Sequence, residues 1–331
     1  MLKSGIDRIH QNFNPLFFQA SLAAGGVALM AFNYLQFAVP HGKGLIEFSD
    51  VIRADLNGAE IPLYSILIAV MLAAIIIHIA LTVIFLRSLA GWLRNRKAGT
   101  DFLNDPYRNV TIFPVIGSLS MSANVLWGSV GFFVPWGPSG LQSLMLPSLI
   151  CFAALWIALL VLEYKVVRVW LTASVDTNRF NFVWLLDAFA FGLVSLTGSG
   201  IAFTSNNETV ATLAAGATVV TLVLGISLLG VKMVYLTRSQ IRVRKLQDSS
   251  VLPALFLPIP ISCLFGISLY RLASNYQSPL SIDVSGIASF VAKSSYVAAV
   301  AWLALAVFWL SNYFRRQFAR SKYSAPQWGI V

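Results

Sequence analysis

The amino-acid sequence predicts an all-α polytopic membrane protein: eight transmembrane helices in four hairpins, with odd-numbered helices inner and even-numbered helices outer. Three observations lead there. Hydrophobic residues make up 57% of the chain and charged residues 11%, against about 25% charged in a soluble domain. Several apolar stretches reach the roughly 20 residues that a helix needs to cross hydrocarbon. Most of the 23 Lys and Arg gather in alternate connectors, an asymmetry that by the positive-inside rule puts both termini in the cytoplasm and agrees with an even number of spans. The net charge of +10 is thereby read as topology, and nucleic acid is not expected as a partner.

Residues 1–14 place Leu2, Ile6, Ile9 and Phe13 at helical spacing, with Lys3, Asp7 and Arg8 elsewhere on the wheel. This is the pattern of an amphipathic helix lying on the membrane surface. The apolar run that follows is full span length and lacks a small-residue cleavage site, so no signal peptide is expected. Span one, Leu16 to Val39, is rich in small residues and puts Gln19, Gly26 and Asn33 on one stripe. Its connector holds Lys43 and Arg53, diluted by Glu47, Asp50, Asp55 and Glu60. Span two, Ile61 to Leu86, is plainly aliphatic, with His78 as its one histidine, read as a packing residue. The next connector is basic, with Arg87, Arg94, Arg96, Lys97 and Arg108.

Span three, Val110 to Val134, is the most informative. On a wheel, Ile112, Ile116, Leu119, Ala123, Leu126, Val130 and Phe133 form one arc suited to lipid or an outer helix. Thr111, Ser118, Ser122 and Ser129 form one polar stripe, and Phe113, Ser120, Asn124 and Gly131 form another. Polar groups in hydrocarbon are costly without partners or water, so this arc faces the protein interior or a wet path. Close helix packing through small residues is the other reading. Span four, Leu141 to Leu162, is aliphatic again, and Lys165, Arg168 and Arg179 follow it.

Span five, Phe180 to Phe203, contains "DAFAFGLVSLTGSG" and the intramembrane carboxylate of Asp187. Such a charge marks a pathway or pairs with a Lys or Arg near the cytoplasmic ends. Span six, Val210 to Leu236, is aliphatic, with Lys232 near its end reading as a snorkelling side chain; Arg238, Arg242, Arg244 and Lys245 follow. Span seven, Val251 to Ala273, opens on the "PIPIS" kink and puts Ser262 on the polar face. Span eight, Ile287 to Phe314, leads to the basic tail, residues 316–331, with Arg316, Arg320 and Lys322. Arg271 and Lys293 fall near the outer ends of spans seven and eight, where they attract an anion or contact headgroups.

The odd spans are polar, small and kinked, the even spans aliphatic, so residues 15–315 read as four repeated hairpins of a channel or transporter domain. The expected path lining is Gln19, Asn33, Ser118, Ser122, Asn124, Asp187 and Ser262. Phe113, Phe191 and Phe265 lie in the same arcs and are candidates to close a narrow path by dewetting. Cys151 and Cys263 fall inside spans and suggest packing, not disulfides. Zinc-protease, phosphate-loop, CxxC and nucleophile-elbow motifs are missing, and His10, His41 and His78 lie in separate segments. An enzyme, a resident metal or cofactor, and paired haem ligands are therefore not expected. The rival class is a haem-free quinone-binding membrane subunit of a redox complex, with Asp187 or His78 at the quinone.

The alternating hairpins, with stretches such as "FPVIGSLSMSANV" and "FAVPHGKG", resemble TsoY-type membrane proteins. More distantly they resemble the superfamily of tellurite-resistance/dicarboxylate transporters and plant slow anion channels. The resemblance implies a pore of odd helices ringed by even ones, closed by phenylalanine and passing small anions, often in a trimer. It also implies sulfur or other chalcogen oxyanions as cargo and a bacterial inner membrane as location. That superfamily typically has five hairpins, whereas this sequence reads as four.

Overall fold

Every odd span begins with a tight turn that its sequence encodes. Asn14 accepts a hydrogen bond from the Leu16 amide at 3.0 Å and opens a 3-10 turn over Pro15–Phe17. Asn181 does the same with Val183 at 2.9 Å and opens Phe182–Leu185. The other two turns are Asn109–Ile112 and Leu252–Phe256, the second with a proline in its first positions. Asn caps and early prolines satisfy or remove amides that would have no partner inside the helix.

A computed structural model describes residues 13–42, 44–134, 137–176, 179–243, 251–280, 285–316, 318 and 327. The surface helix expected over residues 1–14 and the basic tail over residues 316–331 fall almost wholly outside the described residues. The described chain is all-α. The membrane helices are α1 (Phe18–Ala38), α2 (Glu60–Arg94), α3 (Phe113–Val125), α4 (Gly137–Thr172), α5 (Leu186–Thr204), α6 (Glu208–Val243), α7 (Pro258–Leu280) and α8 (Ser285–Trp309). All eight, extended where the opening turns join them, are long and apolar enough to cross a membrane. Span three continues past α3 through a π turn, Leu126–Val130, into Gly131–Phe133.

The even helices α2, α4 and α6 run to 35 and 36 residues, about 50 Å at 1.5 Å per residue. That exceeds the roughly 30 Å of bilayer hydrocarbon, so they pass well beyond the limits expected at Leu86, Leu162 and Leu236. A hydropathy reading ends where charges begin, but the helix itself continues through them.

Burial alternates along the chain. Between 67 and 94% of each odd span's apolar window is buried, against 11 to 28% for the even spans. The odd helices pack as a row, α1 on α3, α3 on α5 and α5 on α7, and their 3-10 turns touch in the same order at the basic face. Helix α5 is central, with nearly every residue buried. Among the even helices, α2 packs on α1, α6 on α5 and α8 on α7, while α4 lies chiefly against α5. Gly198 is the clearest reason for the close seam around α5. A Cβ there would meet the Phe152 ring of α4 at 2.6 Å and the Thr218 hydroxyl of α6, and small residues are what let membrane helices approach so closely.

Candidate functional site

The polar stripes of α3 face two different neighbours. Ser118 hydrogen-bonds Ser21 of α1 at 3.0 Å, and Ser21 also bonds Thr82 of α2. The His78 ring reaches into the same cluster: Nδ1 donates to the Ser21 carbonyl at 2.7 Å, and Nε2 lies 2.9 Å from Ser122 Oγ. On the other stripe, Ser120 Oγ lies 2.7 Å from Thr197 Oγ1 of α5, and Asn124 donates to the same hydroxyl at 2.8 Å. Of the expected lining residues, Ser118 and Ser122 thus share the seam with α1 and α2, whereas Asn124 lies on the separate seam with α5, and each is engaged by a side chain of a neighbouring helix. Ser262 instead donates to the Pro258 carbonyl of its own helix at 2.8 Å, and Asn33 is exposed. Gln19 is buried with Oε1 unpartnered, as are the hydroxyls of Ser129, Ser195 and Ser268. Each odd span therefore holds a polar atom without a partner in its interior face, an uncommon condition for buried groups.

A charged cluster sits toward the basic end of α5. Asp187 is ion-paired with Lys232 of α6, and both side chains are fully buried. The Lys232 ammonium also donates to the Trp184 carbonyl at 2.8 Å and lies 4.1 Å from the Trp170 ring centre and 4.7 Å from that of Trp184. The snorkelling expected of Lys232 is corrected: its stem turns inward, because a carboxylate, a carbonyl and two indole faces replace water there. Glu163 of α4 lies two helical turns before Trp170 on the same face, and Asp187 and Lys232 are the charges that act on it. It is 8% exposed, and neither carboxylate oxygen has a hydrogen-bond partner. The sequence reading missed it by ending span four at Leu162; a lone Glu one residue past an apolar run was the available signal.

Two of the three candidate gate residues converge on Gly225 of α6. A Cβ on Gly225 of α6 would lie 2.8 Å from both Phe191 Cβ and Phe265 Cζ. The Phe265 ring therefore fills the seam where α5, α6 and α7 converge. Phe113 is equally buried, at the start of α3. Toward the other face, Arg271 of α7 crosses to α5. Its Nη1 is 3.5 Å from the Leu196 carbonyl, and the guanidinium lies by Gly200 together with the Trp127 ring of the π turn. Among the described residues no carboxylate pairs with Arg271. Lys293 is exposed on α8.

At the basic face the 3-10 turns enclose a cavity of about 190 Å³ lined by Leu16, Tyr107, Thr111, Arg179, Asn181 and Trp184 among others. The Arg179 guanidinium lies 4.1 Å over the Tyr107 ring. Among the described residues no group of His, Cys, Asp and Glu is arranged to hold a metal ion.

A family described as voltage-dependent anion channel matches residues 12–331. No curated protein and no solved structure matches the chain.

Proposed function

The chain belongs to the voltage-dependent anion channel family, and from that premise we propose that it passes small anions along a polar path lined by α1, α3, α5 and α7. Membership makes it an anion channel or transporter of the membrane; the rival quinone-binding reading has no support from it. Arg271 carries the proposal. A guanidinium held between α7 and α5, with a carbonyl and an aromatic edge for neighbours and no carboxylate partner among the described residues, is a positive charge that a passing anion completes.

In this reading Gln19, Asn33, Ser118, Ser122, Asn124, Asp187 and Ser262 contribute polar groups to the path, and Lys293 adds positive charge at its outer end. The cavity beside Arg179 is the mouth at the basic, cytoplasmic face, on which both termini lie. Phe265 closes the path, with Phe191 behind it and Phe113 nearer the mouth. A phenyl ring repels water from a narrow constriction without needing a charge. The cargo is a small oxyanion of sulfur or another chalcogen, the setting a bacterial inner membrane, and the assembly a trimer. Residues 15–315 form the transport domain, with residues 1–14 on the membrane surface and residues 316–331 a basic cytoplasmic tail.

Purified protein in liposomes tests this directly. The parent is expected to carry nitrate, chloride or sulfite, Arg271→Gln to lower the rate about tenfold or more, and Phe265→Ala to raise it. No flux of any anion by folded parent protein would sink the transport reading. If Phe265→Ala, Phe191→Ala and Phe113→Ala all fold and none exceeds the parent, closure by phenylalanine is wrong, and movement of whole helices is the better account.

A further inference from the structure

Glu163, Asp187 and Lys232 put two carboxylates and one ammonium in a single buried cluster built by α4, α5 and α6. Lys232 is already committed: it is ion-paired with Asp187, bonded to the Trp184 carbonyl at 2.8 Å and covered by two indole rings. Asp187 takes up its charge. Glu163 is left with both oxygens out of water and without a donor. The charged groups that face it are Asp187 from α5 and Lys232 from α6. Helix α3 offers no titratable side chain, and the short helix Arg96–Asn104 beside α4 brings Arg96, Lys97 and Asp101.

An ionised Glu163 would leave the cluster with an uncompensated negative charge where solvation is poor, and a buried carboxylate in that position neutralises itself by taking up a proton. We propose that Glu163 is a proton-binding site and that anion passage through this protein is linked to the proton it carries. In the protonated state the cluster is neutral, with one carboxyl, one carboxylate and one ammonium. When Glu163 releases its proton to water, the two carboxylates compete for Lys232, and the Asp187–Lys232 contact that joins α5 to α6 weakens. Because Phe191 lies one helical turn beyond Asp187 on α5 and touches α6 at Gly225, the seam disturbed is the one that the proposed gate occupies.

The linkage rests on the transport reading, whereas the proton site does not, and two measurements separate them. Infrared difference spectra of the whole protein, titrated from acid to alkaline buffer, are expected to show loss of a protonated carboxyl band that is missing from Glu163→Gln. A parent without that band, or a band that survives in Glu163→Gln, overturns the proton site. In liposomes loaded with nitrate, parent flux is expected to change severalfold over the same range, while Glu163→Gln, a neutral side chain of the same shape, holds one rate throughout. If Glu163→Gln keeps the parent's pH profile, or if the parent's flux is the same at every pH, the linkage is wrong even where the infrared band is present.

Discussion

At the scale of single residues, the Asp187–Lys232 pair makes the sharpest claim on stability. Both side chains are out of water, so removing one strands the other as a buried charge, typically costing about 3–5 kcal/mol. Lys232→Met alone and Asp187→Asn alone are expected to lower the thermal unfolding midpoint in detergent markedly, and the double variant to recover most of the loss. Additive losses in the double variant would mean that the two groups do not depend on each other. The sequence made Asp187 conspicuous as a carboxylate within a span and left its partner open between the cations of one face. Lys232 lies 45 residues further on, and nothing in its local sequence distinguishes a lysine turned inward from one reaching headgroups. Glu163 was hidden for another reason: hydropathy stops at the first charge, whereas α4 continues through it to Thr172.

At the scale of the helices, the division into polar odd spans and aliphatic even ones was readable, because lipid contact demands apolar side chains over most of a helix surface. The contacts between helices were not. A wheel separates the two stripes of α3 but cannot say that one meets Ser21 and His78 while the other meets Thr197. The π turn over Leu126–Val130 also breaks the constant 100° step on which a wheel depends, so faces drawn through Ser129 and Phe133 from the start of span three lose their phase there. The Gly198 contact is testable by size. Gly198→Ala forces a methyl group against Phe152 and Thr218 and is expected to lower stability by about 1–3 kcal/mol, the usual range for overpacking. Gly216→Ala on α6 meets no atom within 4 Å, so its unfolding midpoint is expected to match or slightly exceed the parent's. Equal effects at the two positions would mean that the α4–α5–α6 seam is looser than its geometry implies.

At the scale of the whole molecule, the number of spans, their alternation and the family were all legible in composition and local wording. The central place of α5 was not, since it depends on four neighbours, α3, α4, α6 and α7, brought from different parts of the chain. The row of odd helices has a further consequence, for biosynthesis. Each one packs on the odd helix made just before it, α3 on α1, α5 on α3 and α7 on α5, and packing of α1 against α7 is not prominent among the described residues. A nascent chain leaving the ribosome therefore always finds its docking surface already in the membrane, and no contact between the first and last odd helices has to form late. Such a protein should tolerate a break in its backbone between docking units. Two separately encoded fragments, divided in the connector between α4 and α5 near Val175, are expected to associate in the membrane and co-purify as a complex with the parent's anion flux. Fragments that insert but never associate would show that a continuous chain is needed to bring α5 to α3.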